Sequence, residues 1–225
     1  MFDLENIRDS TLFKNIPKAD FDAICRDLRP YVKMYSEDEI ILIQGDAIDK
    51  IGIIAEGRVF SVKYHYDGTS QILQTFRTND IVGLEAVSST FVTSPSMLIA
   101  GTDCTLVIFR YADFFTAPVI SDSSRIILLQ NMTKILSDAY IKIMYKVDVL
   151  SKRTIRERIT THLSIISEKR NARTFDLGMT QDQFAQYLCI NRSTLSKELN
   201  EMRRDGLIDF SGSKYTIYSV DTDDL

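Results

Sequence analysis

The residues from Thr180 to Ile208 restrict the fold of this chain more than any other segment. They predict two short helices joined by a turn that leaves room only for a sharp change of direction. Thr180 and Gln183 have the spacing of a Thr-x-x-Gln capping box, so we expect the first helix to begin there. Asn191 is suited to cap the second helix and Gly206 to end it. The inner face of the second helix is predicted to consist of Leu195, Leu199 and Met202.

The second predicted helix carries polar side chains opposite its apolar face, which is the composition of a helix that reads DNA. Two strands around a tight turn should follow it, so this order of elements indicates a winged helix-turn-helix. The formal net charge of the chain is −4, yet residues Ser151 to Lys214 hold 12 Lys and Arg against 8 Asp and Glu. Positive charge is therefore concentrated where phosphate contact needs it. The predicted base-reading residues are Arg192, Ser193, Ser196 and Lys197, and the predicted phosphate-contacting residues are Thr180, Thr194 and Lys214.

A different pattern fills the residues from Pro30 to Tyr111. Seven short runs rich in Ile, Val, Tyr, Phe and Thr alternate there with polar or glycine-containing turns. Asp67 and Gly68 lie between two of these runs and predict a tight hairpin, because that turn needs positive φ angles. Many short strands at regular spacing are typical of a sandwich or barrel. We therefore predict an α+β protein with an N-terminal antiparallel double-stranded β-roll, or jelly roll.

A long helix is predicted between Val119 and Leu150, where the sequence has helical periodicity and contains neither Gly nor Pro. Its apolar face is broader than contact with one β-roll requires, so we expect half of it to face a second copy of the chain. The predicted domains are an effector-sensing β-roll with N-terminal helices (1–118), a dimerisation helix (119–150) and a DNA-binding domain (151–225). A helix capped by Ser151 should open the third domain. The predicted dimer-interface residues are Leu128, Met132, Ile135, Leu136, Ala139 and Ile143.

The order of β-roll, long helix and winged helix resembles the Crp/Fnr family of bacterial transcription regulators over essentially the full chain. The run "NRSTLSKELNEMRRDGLI" resembles the family's recognition helix, with Arg192 at its base-reading arginine, Thr194 at a phosphate-contacting threonine and Lys197 at a second basic contact. The run from Glu56 to Val87 resembles its hairpin and effector-binding cassette, including Gly57, Gly68, Asp80 and Gly83. The resemblance implies a homodimer on palindromic duplex DNA, contact with RNA polymerase and a small effector in the β-roll. Whether the protein activates or represses transcription stays open.

The sequence departs from the family pattern at two places. In the members that bind cyclic AMP, an arginine followed by Ser or Thr holds the cyclic phosphate, whereas the matching stretch here, "SSTFVTSPSMLIA", has no arginine. A buried phosphate needs a bidentate guanidinium or a helix N-terminus, so we expect an unidentified effector other than cyclic AMP. Ser193 stands where the best-studied members carry glutamate, so their half-site consensus does not carry over. The candidate effector-binding residues are Gly83, Leu84, Glu85, Ser94 and Ser96.

Other sensing chemistries are constrained by composition. Three isolated cysteines, Cys25, Cys104 and Cys189, are too few for an iron–sulfur cluster with four thiolate ligands and indicate neither a disulfide nor a metal site. Haem binding through His65 or His162 and thiol sensing stay open. We therefore predict no metal site and no certain cofactor.

Two other functional classes compete with a regulator. A cupin-type metalloenzyme would need several histidines around one metal, and the β region has one, so we predict no catalytic residues and no enzyme. A ligand-binding β-roll whose winged helix contacts a protein partner is the main alternative. The N-terminus does not resemble a signal peptide and no apolar run is long enough to span a membrane, which predicts a cytoplasmic protein without a membrane partner.

Overall fold

The computed structural model describes residues 3–64, 70–90 and 93–218. The predicted hairpin turn at Asp67 and Gly68 and the histidine His65 lie outside these residues. The chain divides into two compact units, Met1–Ala139 and Tyr140–Leu225. Within the described ranges, no helix is long and apolar enough to cross a membrane.

The first unit is built around two four-stranded antiparallel sheets. Its strands are β1 (Tyr31–Tyr35), β2 (Ile40–Leu42), β3 (Lys50–Glu56), β4 (Arg58–Tyr64), β5 (Ser70–Arg77), β6 (Ile81–Val82), β7 (Met97–Ala100) and β8 (Cys104–Arg110). The strand orders are β1-β8-β3-β6 and β2-β7-β4-β5. All seven predicted strands are present, and the predicted fold class is confirmed. Strand β6 was not predicted, because two residues are too few to show an alternating pattern.

The sheet that contains β3 and β8 is covered by apolar side chains on both faces. Ile54 and Leu106 point between the two sheets and belong to the same core as Phe76. On the other face, Ile53 and Phe109 pack with residues of the N-terminal helices. The helical segments of this part are Leu4–Ile7 and Thr11–Phe13, which are short 3-10 turns, α1 (Lys18–Leu28), α2 (Leu84–Val87) and α3 (Asp113–Thr116). Burial on both faces explains why the β3 sequence reads as a continuous apolar run.

Gly57 forms the turn between β3 and β4. Its φ angle is +92°, and a Cβ atom at this position would lie 2.4 Å from the backbone oxygen of Asp103. Both the backbone conformation and the available space therefore require glycine. This is one of the glycines on which the family resemblance was based.

The long helix α4 extends from Asp122 to Ser151 and has 30 residues. Ser151 is its last residue, so the prediction that Ser151 caps the next helix is wrong. The cap is Thr154, whose hydroxyl accepts a hydrogen bond from the backbone N–H of Glu157 at 3.1 Å, while the Glu157 carboxylate accepts one from the Thr154 N–H at 2.9 Å. Thr154 is the better cap because it has a glutamate three residues later, which completes a capping box.

The second unit combines three further helices with a small sheet. The helices are α5 (Ile155–Arg170), α6 (Gln181–Tyr187) and α7 (Arg192–Arg204), and the strands are β9 (Thr174–Asp176), β10 (Ile208–Ser211) and β11 (Lys214–Ile217). The antiparallel strand order is β10-β11-β9. Leu163, Phe184, Leu199 and Tyr215 are buried in one core, so the helices and the β10–β11 hairpin form a single packed unit. Strand β9 pairs with β11, which lies far from it in the sequence.

Candidate nucleic-acid interface

Reciprocal hydrogen bonds fix the first turn of α6. The Thr180 hydroxyl accepts a hydrogen bond from the backbone N–H of Gln183 at 3.2 Å, and the Gln183 side-chain oxygen accepts one from the Thr180 N–H at 2.9 Å. The predicted capping box is therefore confirmed. Phe184 and Ala185 are buried and hold the same turn in the core. The exposed Thr180 and Asp182 consequently project from a well-anchored backbone.

The turn between α6 and α7 is compact. The backbone N–H of Cys189 donates to Gln186 O at 3.2 Å, and that of Ile190 donates to Ala185 O at 3.0 Å. Cys189 has a φ angle of +56°, in the left-handed region that non-glycine residues seldom occupy. This conformation allows α7 to begin at Arg192, soon after α6 ends.

One side of α7 is buried in its own unit. Leu195, Leu199 and Met202 are at most 1% exposed, which confirms the predicted inner face. Asn191 stands at the N-cap as predicted, but its side chain makes no capping hydrogen bond. The helix ends before Gly206, whose φ angle is +73°, as expected for a residue just beyond a helix C-terminus.

The predicted base-reading residues lie on the opposite side of α7. The side chains of Arg192 and Lys197 are the most open, with 66% and 78% of their surface exposed. Ser193 is also exposed, and Thr194 and Ser196 are half-buried. A helix that enters a DNA groove needs such an arrangement, with one face held by its domain and the other offering hydrogen-bond donors.

The start of α6 and the start of α7 lie next to each other. Asp182 Oδ1 is 3.2 Å from Arg192 Nε, which forms an ion pair between the two helices. The exposed Thr180 therefore belongs to the same surface as Arg192. Lys214 is exposed on a different element, the β10–β11 hairpin, where it stands opposite Ser211. The predicted DNA-contacting residues thus come from the two helices and from the hairpin, as in a winged helix-turn-helix.

Two arginines that sequence analysis did not single out hold α7 in its unit. Arg156 of α5 donates to Glu198 Oε1 at 2.6 Å and to Asp205 Oδ2 at 2.7 Å. The guanidinium of Arg203 lies 3.8 Å from the centre of the Phe210 ring. The partners of Arg156 are 42 and 49 residues away in sequence, so no local pattern could have indicated these contacts.

Two family models match the chain. A cyclic nucleotide-binding domain matches residues 32–117, and a Crp-like helix-turn-helix domain matches residues 157–225. Together they account for most of the sequence. The chain belongs to the Crp/Fnr family.

Individual members of the Crp/Fnr family resemble the chain over most of its length. The transcriptional activator protein FnrL of Cereibacter sphaeroides is 26% identical over an alignment of 196 positions that covers 83% of this chain and 76% of that protein. The solved structure of a CooA mutant from Carboxydothermus hydrogenoformans superposes with a TM-score of 0.73 at 16% identity. The superposition covers 97% of this chain and 92% of the CooA chain. The regulator CLP of Xanthomonas campestris has a TM-score of 0.71 at 20% identity, and the superposition covers 89% of this chain and 100% of the CLP chain. The chain is thus a DNA-binding transcription regulator of the Crp/Fnr type, not an enzyme.

In this Crp/Fnr regulator, the candidate effector residues lie in two places of the β-roll. Gly83, with a φ angle of +87°, precedes α2, which begins with the buried Leu84 and the exposed Glu85. Ser94 and Ser96 are 5% and 4% exposed. Ser96 Oγ is 2.6 Å from the hydroxyl of Ser61, and Ser94 Oγ donates to Ser96 O at 2.6 Å. The stretch where cyclic-AMP-binding members carry their arginine therefore contains two buried serine hydroxyls, one bonded to the Ser61 hydroxyl and the other to a backbone carbonyl.

A cavity of about 220 Å³ opens inside the described part of the roll. Gly83 lines it, whereas Leu84, Glu85, Ser94 and Ser96 do not. Most of its lining is apolar or aromatic, including Tyr35, Leu42, Ile48, Leu98, Leu106 and Ile108. The cavity and these hydrogen-bonded serines are therefore two separate features of the roll.

The predicted dimer-interface residues of α4 fall into two groups. Leu128 and Met132 are 1% and 4% exposed and lie in the core of the first unit, so their surface is already covered by this chain. Their assignment to a dimer interface is corrected on this ground. Ile135, Leu136 and Ala139 are half-buried, and Ile143 is 52% exposed. The exposed apolar residues in the second half of the helix are Tyr140, Ile141, Ile143, Met144, Tyr145 and Val147.

His162 of α5 is a buried core residue. Its ring centre lies 5.4 Å from that of Phe184 and 4.7 Å from that of Tyr187. Burial, together with the positive charges of Lys146 and Lys169, lowers the pKa of His162 to about 3. The imidazole is therefore neutral at physiological pH and acts in packing.

The two buried cysteines have weakly acidic thiols. Burial raises the pKa of Cys25 to about 12 and that of Cys104 to about 11. Both therefore carry little of the reactive thiolate at neutral pH. Across residues 3–64, 70–90 and 93–218, no group of three or more His, Cys, Asp or Glu side chains is arranged to hold a metal ion.

Proposed function

We propose that this protein is a homodimer that recognises a specific palindromic DNA sequence through α7 and is controlled by a small effector in its β-roll. The observation that carries this proposal is the division of α7 into a buried apolar face and an exposed polar face that begins with Arg192. Arg192, Ser193, Ser196 and Lys197 enter the major groove, where arginine reads guanine and serine accepts several partners. The proposal includes a cytoplasmic location, which a DNA-binding role supports.

Phosphate contacts fix the position of α7 in the groove. Thr180 and Thr194 present hydroxyl groups at the starts of α6 and α7, and Lys214 presents an ammonium on the hairpin. Contacts of this kind position a protein on duplex DNA without reading its sequence. They also make binding weaker at higher salt concentration, because cations are released from the DNA when the complex forms.

The second half of α4 provides the dimer contact. Tyr140, Ile143 and Val147 are 62%, 52% and 57% exposed and lie on one face of the helix, at i, i+3 and i+7. A second copy of the same face would cover them, and a two-fold pair of α7 helices would then match the two halves of a palindrome. RNA polymerase, a partner implied by family membership, would be recruited to the assembled complex.

The effector is unidentified, and we propose that it is not cyclic AMP. Ser94 and Ser96 offer hydroxyl groups but no positive charge to a phosphate, and their oxygens already take part in internal hydrogen bonds. The cavity lined by Gly83 is mostly apolar, and its charged lining residues are Asp49 and Lys50, of opposite sign. A buried phosphate without a cationic partner is strongly unfavourable, so the surroundings of Ser94 and Ser96 suit a less charged molecule.

The proposal is tested by selecting duplexes from a randomised DNA pool with the full-length protein and measuring affinity at several salt concentrations. We expect a palindromic consensus and an affinity that falls linearly with salt on a double logarithmic plot. Enrichment of no sequence, together with salt-independent binding, would refute it. That result would favour a winged helix that contacts a protein partner.

A further inference from the structure

We propose that Asp182 is a positioning residue that sets the base preference of Arg192. The inference rests on the proposed function, because the orientation of Arg192 matters only if it reads a base. It starts from the ion pair in which Asp182 Oδ1 lies 3.2 Å from Arg192 Nε. Asp182 belongs to the first turn of α6, and Arg192 is the first residue of α7.

Both ends of this ion pair are anchored. The capping box of Thr180 and Gln183 fixes the backbone beneath Asp182. Leu195, fully buried in the core one turn after Arg192, fixes the start of α7. The two side chains themselves are exposed by 66% and 53%, so the ion pair is the contact that restricts an otherwise flexible arginine. An arginine without such a restraint has many rotamers to lose when it binds.

The chemistry of the guanidinium explains how the ion pair with Asp182 affects base recognition by Arg192. Arginine recognises guanine through two parallel hydrogen bonds to O6 and N7. The closest approach of the Asp182 carboxylate is to Nε of Arg192. The proposed role is that this contact turns the two terminal nitrogens, which are also donors, toward a base. An arginine held with its terminal nitrogens forward makes the bidentate contact at a lower entropic cost than a freely rotating one. The gain applies to guanine and not to bases that offer a single acceptor.

A different role for Asp182 would be that of a simple negative charge that competes with DNA phosphates. The two roles have different signatures. A competing charge weakens binding to every sequence by the same factor, since it acts on the backbone. A positioning residue changes the relative affinities at one base pair, because it acts through a single arginine.

Asp182→Asn tests the inference in the full-length protein, and Glu201→Gln is the matched control. Asparagine keeps the shape of the side chain and removes its charge. Glu201 is also a carboxylate beside a predicted base-reading residue, 4.0 Å from Lys197 Nζ, but it does not contact Arg192. Each variant removes one negative charge beside a predicted base-reading residue. Arg192→Ala first identifies the position of the DNA site at which base preference is lost. The dissociation constants of each protein are then measured for DNA with each of the four base pairs at that position. Thermal unfolding verifies that the variants are folded.

We expect Asp182→Asn to reduce discrimination at that position by about two- to fivefold, the range that exposed ion pairs support. Glu201→Gln should leave the discrimination unchanged. In an Arg192→Ala background, Asp182→Asn should have no further effect on base preference. If both carboxylate variants change all four affinities by equal factors, Asp182 is only a charge and the inference is overturned.

Failure of the underlying function gives a different result. If the wild-type protein selects no sequence at all, the proposed DNA recognition fails and the role of Asp182 fails with it. If it selects a sequence but Arg192→Ala leaves every preference intact, DNA binding stands while the positioning role is refuted.

Discussion

The guanidinium of Arg156 bridges Glu198 and Asp205, at 2.6 Å and 2.7 Å, and so joins α5 to the middle and to the C-terminal cap of α7. Helix α7 is thereby attached through these charged contacts as well as through the buried Leu195, Leu199 and Met202. Its orientation within the second unit depends on both. Arg156, which has no predicted contact with DNA, should therefore influence DNA binding through the orientation of α7.

Replacing Arg156 with glutamine should lower the free energy of unfolding by about 1 kcal/mol or less, because the side chain is partly exposed and water screens its ion pairs. DNA affinity should fall while the preferred sequence stays the same. Arg153→Gln is the control, since it removes the same charge from an exposed position nearby. Chemical denaturation measures the free energy of unfolding, and titration with DNA measures the affinity. Equal losses of stability and affinity in the Arg156 and Arg153 variants would contradict the role of the Arg156 bridge.

Arg192→Ala should weaken binding to the selected DNA by about 1 to 3 kcal/mol and relax preference at one base pair in each half-site. Lys214→Ala, on the hairpin, should instead weaken binding to all sequences and make it less dependent on salt. Quantitative binding to single-base variants of the site distinguishes the two outcomes. An unchanged footprint and consensus for the Arg192 variant would remove it from the set of base-reading residues.

Ile143→Glu should convert the proposed dimer into a monomer, because a carboxylate buried in an apolar contact has no partner. We expect the dissociation constant of the dimer to rise by at least about 100-fold. Lys134→Glu, at another exposed position of α4, should leave the dimer intact. Light scattering during gel filtration measures the mass, and a stable dimer of the Ile143 variant would place the contact elsewhere.

The second unit should lose stability in mild acid because of His162. Its pKa is about 3 in the folded state against an ordinary value near 6.5, so the unfolded chain binds a proton that the folded chain rejects. The free energy of unfolding should therefore fall as the pH is lowered from about 6.5 toward 3 and stay free of this effect above 6.5. His162→Leu should show a shallower decline over that range. A comparison of the two proteins at pH 7.5, where histidine and leucine are both uncharged, isolates the effect of the substitution on packing. If the free energy of unfolding falls equally steeply with acid in both proteins, His162 is not the cause.

The sequence predicted the seven strands, the long helix and the helix pair because each depends on short-range patterns, such as the capping box of Thr180 and Gln183. The sequence was less informative about contacts between residues that lie far apart in the chain. The burial of Leu128 and Met132 against the β-roll could not be separated from burial in a dimer, since both produce the same apolar spacing. The contacts of Arg156 and the pairing of β9 with β11 likewise join remote segments.

The bonded serines of the β-roll also constrain how this regulator could acquire a new signal. A ligand that offers hydrogen bonds to Ser61, Ser94 or Ser96 must first replace bonds that the protein already makes, so the exchange yields little net free energy. A ligand that fills space beside them meets no such competition. A phosphorylated signal at these serines would therefore require one of them to be replaced by a cationic residue, whereas adaptation among uncharged molecules could proceed by reshaping the cavity alone.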